Sequence, residues 1–191
     1  DEDILKLINR CINEAKDKIS YKVCYCELDV KVKDNVCDFG VCKVTSKDLA
    51  TNLKGCTKVI LFAATLGANF DRLIAKYSRL SPAKALMLEA LGNERIEALC
   101  DAFCEDIKAA YKAPIKPRFS AGYGDLPIDI QRSIFALLDC ERSIGLTLNS
   151  SLLMSPSKSV TAVIGISDLP CEKKEGCSMC ANKNCLFRRE K

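Results

Sequence analysis

The chain has 191 residues, 48% of them hydrophobic, with a formal charge of +4, thirteen cysteines and no histidine. That length holds one domain, or one domain with an appendage. Interspersed lysines and acids exclude the one-sided basic stripe of a nucleic-acid surface, no apolar run reaches membrane-span length, and the lack of histidine excludes imidazole catalysis, a Ser-His-Asp triad and histidine-ligated metal.

In chain order, Ile4, Ile8, Cys11, Ile12, Ala15 and Ile19 recur on one stripe between Asp3 and Ser20, which predicts an amphipathic helix packed on a sheet. From Tyr21 to Val32 the pattern alternates, and a parity change between Val23-Tyr25 and Leu28-Val30-Val32 predicts a bulge. Strand-like pieces follow around Val36 and Val41 to Val44. Cys24 and Cys26, or Cys37 and Cys42, read as alternating strand residues, with metal ligation the other reading. Lys58 to Thr65 is continuously apolar and predicts a central strand buried on both faces. It empties through Leu66-Gly67-Ala68 into a helix carrying Phe70, Leu73, Ile74 and Tyr77, with Asp71 in its first turn where an acid complements the helix dipole.

Ser81-Pro82 starts the next helix, which runs nearly to Ala113 on the spacing of Leu86, Ala90, Ile96, Leu99, Cys100, Phe103 and Ile107. Gly92 is expected to soften its middle, and Pro114 and Pro117 to end it. Asp101 and Glu105 stand four apart, so they share one face about 6 Å apart along the axis. A solvated acidic face and a cation-binding pair both fit that spacing.

Arg118 to Pro127 then sets an arginine, small residues, two glycines around Tyr123, and an acid-proline turn within ten positions. A connecting turn needs the glycines and proline. It needs neither Arg118 nor Tyr123, so a ligand-contacting loop stands beside the plain turn as a reading. Asp125 or Asp129 is expected to cap a helix with Ile130, Ile134, Leu137 and Leu138 buried, which Gly145 closes directly or one turn later. Ser159 to Ile166 alternates as a strand. The elements together predict an α+β fold, a mostly antiparallel sheet with helices packed around it.

Asp168-Leu169-Pro170 divides this domain, over 1–167, from a cysteine-rich tail over 168–191. An odd cysteine count in a chain that opens without an apolar leader fits reduced thiols and a cytoplasmic setting, although a first residue other than methionine leaves a processed start open. Cys11, Cys100 and Cys140 are expected to fill the core. In the tail, Cys171, Cys177, Cys180 and Cys185 fall within fifteen residues in a polar segment. Four thiolates so spaced suit a zinc ion or an iron–sulfur cluster, and a metal-free thiol tail is the alternative.

Arg118, Gly122, Tyr123 and Pro127 match R-x-x-x-G-Y-x-x-x-P, and Ile144 to Pro156 looks like IG-x-x-L-T-x-S-x-x-M-x-P. In both blocks the chain resembles the activation domain of cobalamin-dependent methionine synthase, densely from Glu94 to Ile166. Before Glu94 it looks more like the short, free-standing relatives. The resemblance implies binding of S-adenosylmethionine and support of reductive methylation, in which cob(II)alamin on a partner takes an electron and then the methyl group. It implies that Arg118 holds the ligand's carboxylate, that Ser120 or Ala121 bonds the adenosyl portion, and that Gly122 lets Tyr123 lie near the methyl group and corrin. Asp101, with Glu105 one turn on, matches the family's acidic position and faces the ammonium and sulfonium. Gly124-Asp125-Leu126-Pro127 departs from the family's A-x-C-P, and the aromatic-rich lead-in segment has no counterpart. Without cobalamin, folate or homocysteine modules, the expected role is in trans, by binding and positioning within a methyltransferase system, on a cobalamin-binding methionine synthase or another corrinoid protein. A cluster in the tail would then pass the activating electron from a donor protein. A metal-bearing interaction module that has lost the ligand is the competing expectation.

Overall fold

A computed structural model describes residues 2–167; Cys171, Cys177, Cys180 and Cys185 lie outside the described residues. In chain order the elements are α1 (Glu2–Lys16), β1 (Lys22–Asp29), β2 (Lys31–Lys33), β3 (Val36–Asp38), β4 (Lys43–Thr45), α2 (Lys47–Asn52), β5 (Cys56–Thr65) and α3 (Ala68–Leu80). There follow α4 (Pro82–Tyr111), β6 (Phe119–Ser120), α5 (Ile130–Leu138), α6 (Cys140–Ile144), β7 (Thr147–Leu148), β8 (Met154–Ser155) and β9 (Ser159–Ser167).

The apolar run at Lys58 is the middle of the molecule. Strand order β1-β5-β9-β6 puts β5 and β9 inside a four-stranded sheet, and each of its pairings is antiparallel. Both inner strands are buried on both faces, so alternation sorts their side chains between two cores rather than between core and water. Ile60, Phe62, Ala162 and Ile164 face a layer of α1, α3 and α4. Val59, Leu61 and Val163 face the opposite layer, built from α2, α5, α6 and the three-stranded sheet β2-β3-β4. The α+β architecture expected from the sequence is the one found.

Several local expectations change. The stripe of α1 rests chiefly on α4 rather than on the sheet: Glu14 pairs with Lys84, only Cys11 and Ala15 of the helix are buried, and Ile4 is 48% exposed. No bulge interrupts β1, whose pairing with β5 is regular from Lys22 to Asp29. The parity change reflects a strand covered on both faces: Val23 and Tyr25 lie toward the long-helix layer, Tyr25 against Phe103, whereas Cys24, Cys26 and Leu28 pack on the opposite core. Gly92 does not soften α4. It lets the helix approach its neighbours, because a Cβ there would stand 2.6 Å from Phe70 Cε1 and 3.1 Å from the Lys158 stem. Asp71 keeps its place in the first turn of α3, and it also accepts from Ser157 N at 2.6 Å. The helix begun by Ile130 ends at Asp139, which adopts left-handed backbone (φ 44°), and Gly145 closes the short α6 after it, the second of its two expected places.

Candidate functional site

After α4 ends on Lys112, in left-handed conformation, the chain returns alongside β9. Lys116 N donates to Gly165 O at 2.8 Å, and Phe119 and Ser120 pair with Val163 and Ala162. Successive residues of an extended strand point to opposite faces. Phe119 is therefore buried in the core shared with α5, while Arg118 turns toward α4. There it meets acids: Nη1 donates to Asp101 Oδ1, and Nη2 donates to Glu97 Oε2 at 2.6 Å. Glu97, Asp101 and Glu105 are successive turns of one helix face. Arg118 bridges the first two, and Glu105 pairs with Lys108 at 3.2 Å instead. Sequence reasoning missed Glu97; the same four-residue spacing one turn toward the N-terminus was the available signal.

Two carboxylates around one guanidinium leave a net negative charge at this edge of the sheet. The Asp101 and Glu97 side chains keep 69% and 58% of their exposure while Arg118 keeps 24%, so the acids have an open side to solvent. Burial opposes the arginine's charge, yet Asp101 and Glu97 more than offset it and raise its pKa above the ordinary value. Its ion pairs occupy two of five guanidinium N–H groups. Behind the acidic face lie two thiols. Burial pushes Cys100 up to about 12 against the pull of Arg118, and burial raises Cys104 in the same way.

The loop after Arg118 is held by its own backbone. Tyr123 N donates to Ser120 O at 3.1 Å, Leu126 N to Tyr123 O at 3.0 Å, and Gly122 N to Leu126 O at 3.0 Å. These consecutive turns need positive φ at Gly122 (82°) and Gly124 (56°), and a Cβ on Gly124 would strike the Asp48 carboxylate. The Tyr123 ring is left 63% exposed, edge-on against Phe119 with centroids 5.3 Å apart. Ser120 commits its carbonyl to the turn, and Ala121 is half-buried against the α5-side core.

Asp125 caps no helix next to it in sequence. It accepts from Ser46 Oγ, from Lys47 N at 2.8 Å and from Asp48 N at 3.1 Å, and so anchors the loop on the N-terminus of α2. Those bonds hold its carboxyl below the usual range, Ser46 foremost. Asp129 occupies the cap position of α5 without a side-chain bond. The acid-proline turn is thus an anchor for the tyrosine bend.

Two cavities lie elsewhere. One of about 500 Å³ is lined by Glu27, Asp29, Lys31, Asp38 and Phe39, and one of about 350 Å³ by Arg132, Phe135, Cys140 and Leu146 among others. The larger holds three acids, two of which already have partners, Glu27 with Lys58 and Tyr111 and Asp38 with Lys43. The Arg118 edge, with open carboxylates, an arginine and an exposed ring, is the better candidate for a charged ligand. No described helix is long and apolar enough to cross a membrane, and no group of three or more potential ligands for a metal ion occurs among the described residues.

No family model matches the chain, and no curated protein matches it. Solved structures do. The chain is similar to a crystal structure of the MetH reactivation domain bound to AdoHcy, with 15% identity and a TM-score of 0.67 over 89% of this chain and 67% of that one. At that identity the likeness establishes the fold, and it is the fold that the R-x-x-x-G-Y resemblance implied.

Proposed function

We propose that this chain binds S-adenosylmethionine at the Arg118 edge and serves in trans as a reactivation partner of a cobalamin-dependent methionine synthase. The observation that carries the reading is the bridge of Arg118 to Asp101 and Glu97, with exposed Tyr123 held five residues on. The similar structure is described as bound to AdoHcy, the demethylated form of that ligand. S-adenosylmethionine carries a carboxylate, an ammonium and a sulfonium, one net positive charge in all. Arg118 offers its remaining N–H groups to the carboxylate as a fork. Asp101 and Glu97 face the ammonium and sulfonium; a charge pair near 4 Å is worth about 4 kcal/mol at intermediate dielectric, before desolvation. Tyr123 supplies a flat apolar wall beside the methyl group. Glu105, paired with Lys108, supports the charge of this face from one turn away. Cobalamin, held by the partner, supplies the methyl acceptor after one-electron reduction. The same edge also serves a different corrinoid methyltransferase, should that be the partner.

Calorimetry tests this. The protein is expected to bind S-adenosylmethionine, and Arg118→Ala to weaken binding at least about tenfold, the cost of one charge-assisted contact. Binding untouched by the substitution would refute the residue assignment. One observation favours an interaction module without ligand: Arg118 already pairs with two carboxylates of its own chain. No heat with the parent protein would select that reading. Pull-down with purified corrinoid proteins identifies the partner. For the tail, we propose that Cys171, Cys177, Cys180 and Cys185 hold zinc or an iron–sulfur cluster; an anaerobic, reconstituted preparation without either metal would refute it.

A further inference from the structure

The two edges of the main sheet are unlike. At one edge β6 is two residues long and passes at once into the Tyr123 loop. At the other, β1 is eight residues long, contains no proline and pairs with β5 without a break. Val30 N donates to Thr57 O at 2.9 Å, and Leu66 N donates to Lys158 O at 3.0 Å. In an antiparallel ladder these bonds recur at every second residue. Odd-numbered β5 residues therefore bond toward β1, where their partners are Lys22, Cys24, Cys26 and Leu28. The N–H and C=O groups of Val23, Tyr25, Glu27 and Asp29 point away from the sheet, and no described residue bonds to them.

A long, regular edge with unpaired groups is a template for another strand, and folded proteins shorten, bend, charge or cover such edges. Here the charges stand toward the ends, Lys22 at the start and Glu27 and Asp29 at the finish, while Val23, Cys24, Tyr25 and Cys26 fill the middle. Tyr21 is 52% exposed, and Tyr25 is 56% exposed although its ring rests on Phe103. We propose that β1 pairs antiparallel with β1 of a second copy of this chain, across a two-fold axis at Tyr25, and joins two four-stranded sheets into one.

Charge complementarity selects the occupant and its direction. Antiparallel self-pairing lays the basic start of each strand along the acidic end of the other, whereas parallel pairing sets acid beside acid. Outward groups meet only outward groups, so odd-numbered residues face odd-numbered ones across the axis. With the axis at Tyr25, Glu27 faces Val23 of the second copy, Asp29 faces Tyr21, and the two Tyr25 rings form a cross-strand aromatic pair. An axis at Glu27 would set that acid against itself, and like charges directly opposite are destabilising. The contact is isologous and closes at two copies. Both Arg118 edges stay at the outer ends of the joined sheet, so the pairing stands whether or not they bind a ligand.

Sedimentation equilibrium of the reduced full chain tests the pairing. The parent is expected at twice the 21.0 kDa chain mass. Tyr25→Lys and Tyr25→Glu each place like charges at the axis, and each is expected to dimerise at least about tenfold more weakly. An equimolar mixture of the two variants is expected to recover the dimer, since opposite charges then meet. A monomeric parent, a dimer of unchanged strength in either variant, or a mixture that stays monomeric would overturn the proposal. So would tighter association of Tyr25→Lys, which would move the axis to Cys26 and set the new ammonium against Glu27. Hydrogen exchange of the parent decides the matter even if a variant fails to fold. The amides of Val23, Tyr25 and Glu27 are expected to exchange more slowly as protein concentration rises, and exchange there that ignores concentration would sink the idea.

Discussion

The two faces of the central sheet are covered in different ways. On one, the thirty-residue α4 carries Leu88, Ile96, Cys100, Phe103 and Ile107 into the core, with α1 and α3 beside it. On the other, no helix exceeds nine residues, and cross-links join pieces distant in sequence: Asp125 to α2, and Asn52 Nδ2 to Pro117 O at 3.1 Å. The thiols follow the same division. Six of the nine described cysteines lie against the second face and three against the first. Small, polarisable side chains suit the irregular gaps that short elements leave. A long periodic helix packs by repetition, whereas a patchwork is ordered by specific bonds.

Substitutions can break or sharpen that contrast. The largest effect is expected from Phe62→Ala, which empties the long-helix core and removes a ring tilted against Phe103 with centroids 4.9 Å apart; about 4 kcal/mol should be lost in urea unfolding. Leu61→Ala, the next residue but on the patchwork face, should cost about 3 kcal/mol. Equal or reversed losses would mean that the short elements pack as tightly as the helices. Gly92→Ala, which forces Phe70 and Lys158 away from α4, should cost about 2 kcal/mol.

Asp125→Asn probes the cross-links through pH. The folded carboxyl titrates below its ordinary value of 3.8, so its stabilisation is fully present above that value and is lost as pH falls through the lower folded one. Urea midpoints of parent and variant should differ at neutral pH and converge in acid; a gap that persists in acid would show that the carboxylate is not the cause. The smallest change in stability is expected from Arg118→Ala. Its acidic partners are largely solvent-exposed, so unfolding should shift by less than about 1 kcal/mol while ligand affinity falls tenfold. A large loss of stability instead would make Arg118 a structural bridge rather than a binding residue.

The long elements were legible because their signals are local. The run at Lys58, the helix from Pro82 and the strand at Ser159 follow from apolar spacing alone, and the R-x-x-x-G-Y bend from its glycines. Glu97 was not legible as the partner of Arg118, since Glu97, Asp101 and Glu105 stand at equivalent positions on successive turns. Which turn meets the arginine depends on how 112–117 lead back and on the pairing of Phe119 with Val163. Likewise an acid before a proline reads as a neighbouring cap, yet Asp125 bonds to Lys47, 78 residues away. The order of apolar and polar residues determined the sheet core and the long helices, because burial rewards periodicity within one segment. Partners for the charges and thiols were decided only when segments came together, because a hydrogen bond or ion pair depends on a few ångströms that no spacing along the chain encodes.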